Sequence, residues 1–221
     1  EVHPFIDATR PTTNKNAIVA DGYRLLKVDT LDNRSIGNEI LNNIAEAIAD
    51  GEPDAIVFSD FRHGIFNGQT IPQLINAIPR KCFRVADSQV ASRWGNITDF
   101  KGFDMITPNE REARFALADQ DSPLRSLASD LYDKAECGIL ILKLGERGAL
   151  TCVSANHESQ DSFFTVDSFA KNVIDPVGAG DALLAYGLLA YMATKSPVQA
   201  TVIGSLAAAG LCERDGNTPI T

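Results

Sequence analysis

Positive charge is scarce in this chain: 20 Lys and Arg stand against 29 Asp and Glu, for a net charge of −9. A surface of that sign repels nucleic-acid phosphates and anionic lipid headgroups, so neither is an expected partner. A nucleotide is not excluded, because local backbone amides and a metal can hold its phosphates. Cysteine is also sparse. Cys82, Cys137, Cys152 and Cys212 show no close metal-type spacing, which reads as buried free thiols in a reducing, cytoplasmic compartment. His3, His63 and His157 likewise have no partners at metal spacing. No secretory leader is visible, and the longest apolar runs are broken by Gly, Ser and Thr, as in buried core helices rather than membrane spans. No Gly-x-Gly-x-x-Gly follows the early strands, which disfavours a dehydrogenase. Repeats, low-complexity tracts and internal linkers are absent too. What remains is 221 residues with 44% hydrophobic and 22% charged content, enough for one sizeable domain or a large part of one.

Asp21-Gly22 separates two short runs, Ala17 to Ala20 and Tyr23 to Val28, and predicts a hairpin. Ile36, Ile40, Leu41, Ile44 and Ile48 recur at helical spacing, with Ser35 as a candidate cap and Gly51 as a stop. Apolar runs at 55–58, 82–86, 105–106, 139–142, 149–153 and 163–166 read as strands. They alternate with helices over 70–78, 110–117 and 122–135, and two helices, 179–192 and 198–212, close the chain. Alternation of this kind implies an α/β fold: a mostly parallel sheet with helices on both faces. Sites in such sheets lie beyond the carboxyl ends of the strands. Asp60, Asp87, Asn109, Gly145 and Asp181 each follow an apolar run, so they are expected to collect on one edge.

The richest stretch is Asp175-Pro176-Val177-Gly178-Ala179-Gly180-Asp181, entered by an extended run from Lys171 to Ile174 and left by a long apolar helix. The glycines let the chain turn tightly and let an anion approach. The first helical amides have no intrahelical partner, and with the helix dipole they favour negative charge in front of them. Asp181, in the first turn, stays ionised. An anion cradle beside an ionised acid suits phosphoryl transfer to a hydroxyl, with the amides of Gly178, Ala179 and Gly180 holding phosphoryl charge and Asp181 taking the alcohol's proton. The plainer alternative is a close-packed turn with an acid as first-turn decoration. Thr107-Pro108-Asn109-Glu110-Arg111-Glu112 has the spacing of a capping box between Asn109 and Glu112. The same Glu112 suits a place near magnesium or its waters, and one residue can serve both ends.

The Asp175–Asp181 stretch resembles the second signature of the ribokinase (PfkB) carbohydrate kinases, Asp-Thr-x-Gly-Ala-Gly-Asp, with Pro176 in place of the Thr. Asn109 and Glu112 resemble the family's Asn-x-x-Glu motif, linked to metal and phosphate handling. Gly145 and Gly148 resemble its Thr-x-Gly-x-x-Gly nucleotide turn, with Lys143 in place of Thr. Ser59-Asp60-Phe61-Arg62-His63-Gly64, and Arg10 with Lys15 in the segment before the hairpin, are similar to the heptose-phosphate kinase branch. Asp87-Ser88-Gln89 stands at the family's Asp-Pro position. Ala207 to Gly210 and Gly216-Asn217 fit the adenine-side wall and its closing loop, although small residues there equally suit two packed helices.

The resemblance implies a three-layer ribokinase-like fold with one carbohydrate kinase domain over 1–221 and a substrate-side hairpin at 10–30. The family's early Gly-Gly sugar signature has no counterpart, so the N-terminal portion of the domain is expected to be missing. The implied reaction is ATP-dependent phosphorylation of a sugar or sugar-phosphate hydroxyl, with magnesium and in some members a monovalent cation. Asp181 would be the general base. Lys143, Gly145, Gly148 and Asn217 would meet the nucleotide. Asn109 and Glu112 would handle the metal, and Arg10, Lys15, Asp60 and Asp175 the sugar side. A second copy of the chain, as a homodimer, is left open. The competing reading is a nucleotide-binding, non-catalytic relative or an inactive fragment.

Overall fold

The computed structural model describes residues 2–21, 23–89, 97–216 and 220. The chain divides into two compact units, one of Glu1–Asp54 with Asp60–Cys82 and one of Ala55–Ser59 with Phe83–Thr221.

In the first unit, β1 (Asn14–Ala20) and β2 (Tyr23–Thr30) form an antiparallel hairpin with an irregular register between Ile18 and Val19. This is the hairpin expected from Asp21-Gly22. Every residue of β1 is exposed, including Ile18 and Val19. The helix α1 (Asn38–Asp50) ends at Gly51 as expected, but its N-cap is Gly37, with no side-chain cap. The Ser35 hydroxyl is instead the acceptor for the Asn67 side-chain amide, so the cap expected there is not formed. α1 packs with α2 (Thr70–Ala77).

The second unit is built on a six-stranded sheet in the order β3-β4-β5-β6-β7-β8. Its strands are β3 (Ala55–Asp60), β4 (Phe83–Ser88), β5 (Met105–Ile106), β6 (Ile139–Lys143), β7 (Ala149–Cys152) and β8 (Phe163–Val166). β4, β5 and β6 run parallel, whereas β6–β7 and β7–β8 are antiparallel. The short turn at Gly145–Gly148 leaves no room for a crossover, so β7 must return along β6. Alternate side chains of the parallel strands point to opposite faces. Val85, Met105, Ile139 and Ile141 pack against Leu183, Leu184 and Leu188 of α5 (Ala179–Thr194). α3 (Glu110–Leu117) and α4 (Leu124–Ala135) contact β6, and α4 also β7. Phe58, Phe100 and Phe103 form an aromatic group with centroids 5.5–6.2 Å apart. All four cysteines are buried and free, and burial pushes the Cys137 thiol up to about 12.

The stretch Lys171–Ile174, expected to be extended into the glycine turn, is not a strand. β8 ends the sheet order, and the Ile174 amide donates instead to the Cys212 carbonyl at 2.8 Å. That carbonyl belongs to the last turn of α6 (Pro197–Cys212). α5 and α6 are apolar around their whole circumference, so each needs more than one packing surface. They supply one to each other, at a crossing made of glycines. A Cβ on Gly204 would lie 2.7 Å from the Leu183 carbonyl oxygen and 3.4 Å from the Gly187 Cα. The Thr151 and Thr201 hydroxyls, both fully buried, meet at 3.0 Å and tie α6 to β7. No described helix is long and apolar enough to cross a membrane.

This crossing predicts a contrast within one helix. Gly204→Ala should destabilise the chain by about 1–3 kcal/mol through overpacking. Gly210→Ala, where an added Cβ meets nothing within 4 Å, should be neutral or stabilising by up to ~1 kcal/mol. Urea unfolding of both variants checks it, and equal destabilisation would contradict the close crossing.

Candidate active site

The carboxyl ends of β4, β5 and β6 and the N-terminus of α5 enclose a cavity of about 610 Å³. It is lined by Asp87, Asn109, Glu112, Lys143, Gly145, Gly148, Gly178, Ala179, Gly180 and Asp181, among others. The sheet edge expected from strand order therefore forms for Asp87, Asn109, Gly145 and Asp181. Asp60 ends β3 and is paired within the first unit with Arg62 at 2.7 Å, where it is 2% exposed.

Gly178 caps α5 at φ +86°, a left-handed conformation that favours glycine. Ala179, Gly180 and Asp181 then form the first helical turn, whose amides precede any i−4 acceptor in the helix. The Ala179 amide is engaged in the turn by the Pro176 carbonyl at 3.2 Å. Asp181 is half-buried at the cavity wall. Asp175, the other acid of the signature, accepts the Val177 amide at 3.1 Å, and its own amide donates to the Cys212 carbonyl. It is not among the residues lining the cavity.

Asn109 and Glu112 form the capping box expected from their spacing. The Asn109 side chain accepts from the Glu112 amide at 2.9 Å, and the Glu112 carboxylate accepts from the Asn109 amide at 2.7 Å. Glu112 is 7% exposed, and burial holds its carboxyl above the ordinary value, with the neighbouring Asp87 charge acting the same way and Lys143 opposing it. The strand end of β6 is pinned to this box, since the Lys143 amide donates to the Pro108 carbonyl at 2.8 Å.

Gly145 and Gly148 adopt φ +63° and +81°. At Gly148 an added Cβ would fall 2.0 Å from the Val166 carbonyl oxygen, so no side chain fits there. The ammonium of Lys143, which ends β6 just before this turn, contacts both Asp87 carboxylate oxygens at 3.0 and 3.1 Å. The sequence carries no sign of this pairing, because the partners are 56 residues apart. Ala208 and Ala209 of the expected base-side wall line the cavity, together with Ser205, Ser168, Ala170, Val173 and Cys212. Ser205 is a residue that sequence reasoning misses. Its hydroxyl is buried without a hydrogen-bond partner among the described residues, and the only signal is a serine in a helix rich in apolar and small residues.

The other sugar-side candidates belong to the first unit. Arg10 donates to the Arg34 and His63 carbonyls and pairs with Asp7, and the Lys15 ammonium lies 5.7 Å from the Phe61 ring centroid. Asn217 lies outside the described residues.

Parallel strands whose carboxyl ends face a glycine-capped helix N-terminus, with an acid in its first turn, give the layout of a ribokinase-like α/β fold. The profile of the pfkB family carbohydrate kinases matches residues 10–220, and the chain belongs to that family. Among curated proteins it is 27% identical to the Bifunctional protein HldE of Helicobacter hepaticus, over 98% of this chain and 44% of that protein. It is 26% identical to the Bradyrhizobium protein of the same name, over 97% and 44%. The chain thus spans less than half the length of these relatives. Among solved structures, phosphofructokinase-2 from Escherichia coli in complex with potassium superposes with a TM-score of 0.70 at 17% identity, over 87% of this chain and 62% of that one. Ribokinase from Giardia lamblia gives 0.68 at 18%, over 94% and 67%. At such identities these two similarities establish the fold.

The buried Glu112 carboxyl makes the fold sensitive to pH. The unfolded chain releases this proton near 4.5, whereas the folded chain retains it to a higher pH. The stabilising contribution is complete below 4.5 and is lost as pH rises towards the folded value. Glu112→Gln keeps an acceptor for the Asn109 amide and removes the titration. Its stability relative to wild type should therefore rise with pH across that window, measured by urea unfolding in chelator, and a flat difference would contradict the burial effect.

Proposed function

We propose that this chain is the nucleotide-binding and phosphoryl-transferring part of a carbohydrate kinase, moving the terminal phosphoryl group of ATP to a hydroxyl of a sugar or sugar phosphate. The observation that carries the reading is Asp181 in the first turn of α5, at the wall of the cavity that Gly178, Gly180 and the Asn109–Glu112 box also line. Solved relatives of this fold include phosphofructokinase-2 in complex with fructose-6-phosphate and a ribokinase complexed with ribose and ATP. A small phosphorylatable sugar is the corresponding acceptor here.

In this reading Asp181 accepts the proton of the attacking hydroxyl, and the first-turn amides of α5 hold the charge that builds on the phosphoryl oxygens. Gly178 provides the left-handed cap that lets the helix begin at that point. Gly145 and Gly148 shape the nucleotide edge, with Ala208 and Ala209 as a flat wall for the base. Asn217 would close that wall. Among the described residues no three His, Cys, Asp or Glu side chains come together as a metal-holding group, so the carboxylates that line the cavity suit a magnesium that keeps most of its waters and arrives with the phosphates. Asn109 and Glu112 would hold the ion or its waters. When bound, it neutralises polyphosphate charge. Phosphofructokinase-2, which shares the fold, has been solved in complex with potassium, so a monovalent cation is a natural addition to the assay. On the sugar side, Arg10, Lys15 and Asp60 are the residues proposed, with Asp175 at the start of the glycine turn. The kinase would act in the cytoplasm, where ATP is available.

Asp181→Asn in the intact protein that carries this chain should lower turnover at least ~100-fold, the scale of a lost general base. Fold and nucleotide affinity should be retained. A coupled assay over a panel of sugars and sugar phosphates, with nucleotide titration alongside, measures both. Unchanged turnover would remove Asp181 from the role.

A further inference from the structure

Among the described residues lining the cavity, Lys143 is the only cationic side chain, against the carboxylates of Asp87, Glu112, Glu146 and Asp181. Its ammonium is not directed to solvent: the side chains of Lys143 and Asp87 are 15% and 7% exposed. It also lies over the start of α5. A Cβ placed on Gly180 would sit 3.1 Å from Nζ and 3.9 Å from Cε. The absence of a side chain at 180 therefore leaves room for the lysine end. The lysine backbone is fixed, since its amide is bonded to Pro108 and Lys143 forms a bridge with Asn109. Only the flexible stem can redirect the charge.

A largely buried ion pair of this kind adds little to stability, because each charge loses hydration that the other only partly restores. Its position over a helix N-terminus gives it another use. The ammonium lies against the first turn of α5, and a helix N-terminus, like the ammonium, favours negative charge. With the ammonium on Asp87, the pair is neutral and the cavity retains an excess of acids. With the ammonium on a phosphate, the anion gains a second cationic partner beside the amides.

We propose that Lys143 exchanges partners: Asp87 holds its ammonium until a polyphosphate enters, and the ammonium then transfers to a phosphate oxygen in front of Gly180. The proposal rests on the nucleotide reading above. It assigns Lys143 to the phosphates rather than to the base and makes Asp87 an internal competitor for them. No bond to phosphorus is made or broken, and no proton moves, in this exchange.

Calorimetric titration of the intact protein separates the possibilities. Lys143→Met should weaken MgATP binding by about 30-fold, the worth of a charge-assisted hydrogen bond, and leave adenosine within about twofold. Lys143→Arg should recover much of the loss. Asp87→Asn removes the competitor. In chelator, with inorganic tripolyphosphate as the probe, it should bind about threefold or more tightly than wild type, because the free ammonium no longer has to be released. Thermal melts confirm that each variant is folded. If wild type binds MgATP and Lys143→Met binds it equally well, the contact is overturned. If Asp87→Asn does not tighten tripolyphosphate binding, the exchange is overturned. If wild type binds neither adenosine nor MgATP, the nucleotide reading itself fails, a result distinct from the other two.

Discussion

The second unit depends on how two helices with apolar residues on every side dispose of their surfaces. α5 cannot be covered by a sheet alone, because apolar residues surround its axis. Leu183, Leu184 and Leu188 take the sheet face, and the Gly187–Gly204 approach brings α6 against another. With α6 this close, Ala182, Ala207 and Leu211 form a second small core. The helix is held along its length, so its N-terminus is fixed in front of the strand ends. The anion-favouring end of α5 is a by-product of hydrophobic packing further along the same helix.

The cavity follows a different logic, in which charge is concentrated and then balanced locally. Glu112 is buried yet useful to the fold, because its carboxylate closes the capping box of α3. Lys143 and Asp87 neutralise one another across two strands. Arg147 and Glu110 pair outside the cavity and tether the β6–β7 turn to the first turn of α3. Each interaction locks one piece of strand-end chain, and together they make the edge a rigid platform rather than a set of loose loops.

Much of this was legible in the sequence, for identifiable reasons. The β6 run Ile139 to Leu142, the hairpin at Asp21-Gly22 and the Asn109–Glu112 spacing carry local signals that survive folding unchanged. The glycine turn before Asp181 did so as well, because left-handed conformations restrict residue choice. What escaped was set by long-range partners. The extended look of Lys171 to Ile174 reflected residue type, but with β8 ending the sheet order its backbone turned to α6. Ser35 looked like a cap, yet its hydroxyl is taken by Asn67, which is 32 residues away. The Lys143–Asp87 pair and the Ser205 hydroxyl, unpartnered among the described residues, are of the same kind, decided by neighbours that no local pattern names.

The crowding at Gly148 also bears on how this turn could be diversified. Its carbonyl neighbour at Val166 leaves no space for a side chain, and the positive φ angles of Gly145 and Gly148 disfavour other residues. Glu146 and Arg147, between them, are exposed. A library that randomises the turn should therefore keep the two glycines and vary only the pair they enclose. Glu146 borders the cavity while Arg147 anchors the turn to α3, so the first can be varied to reshape the cavity rim and the second is varied at the expense of that anchor.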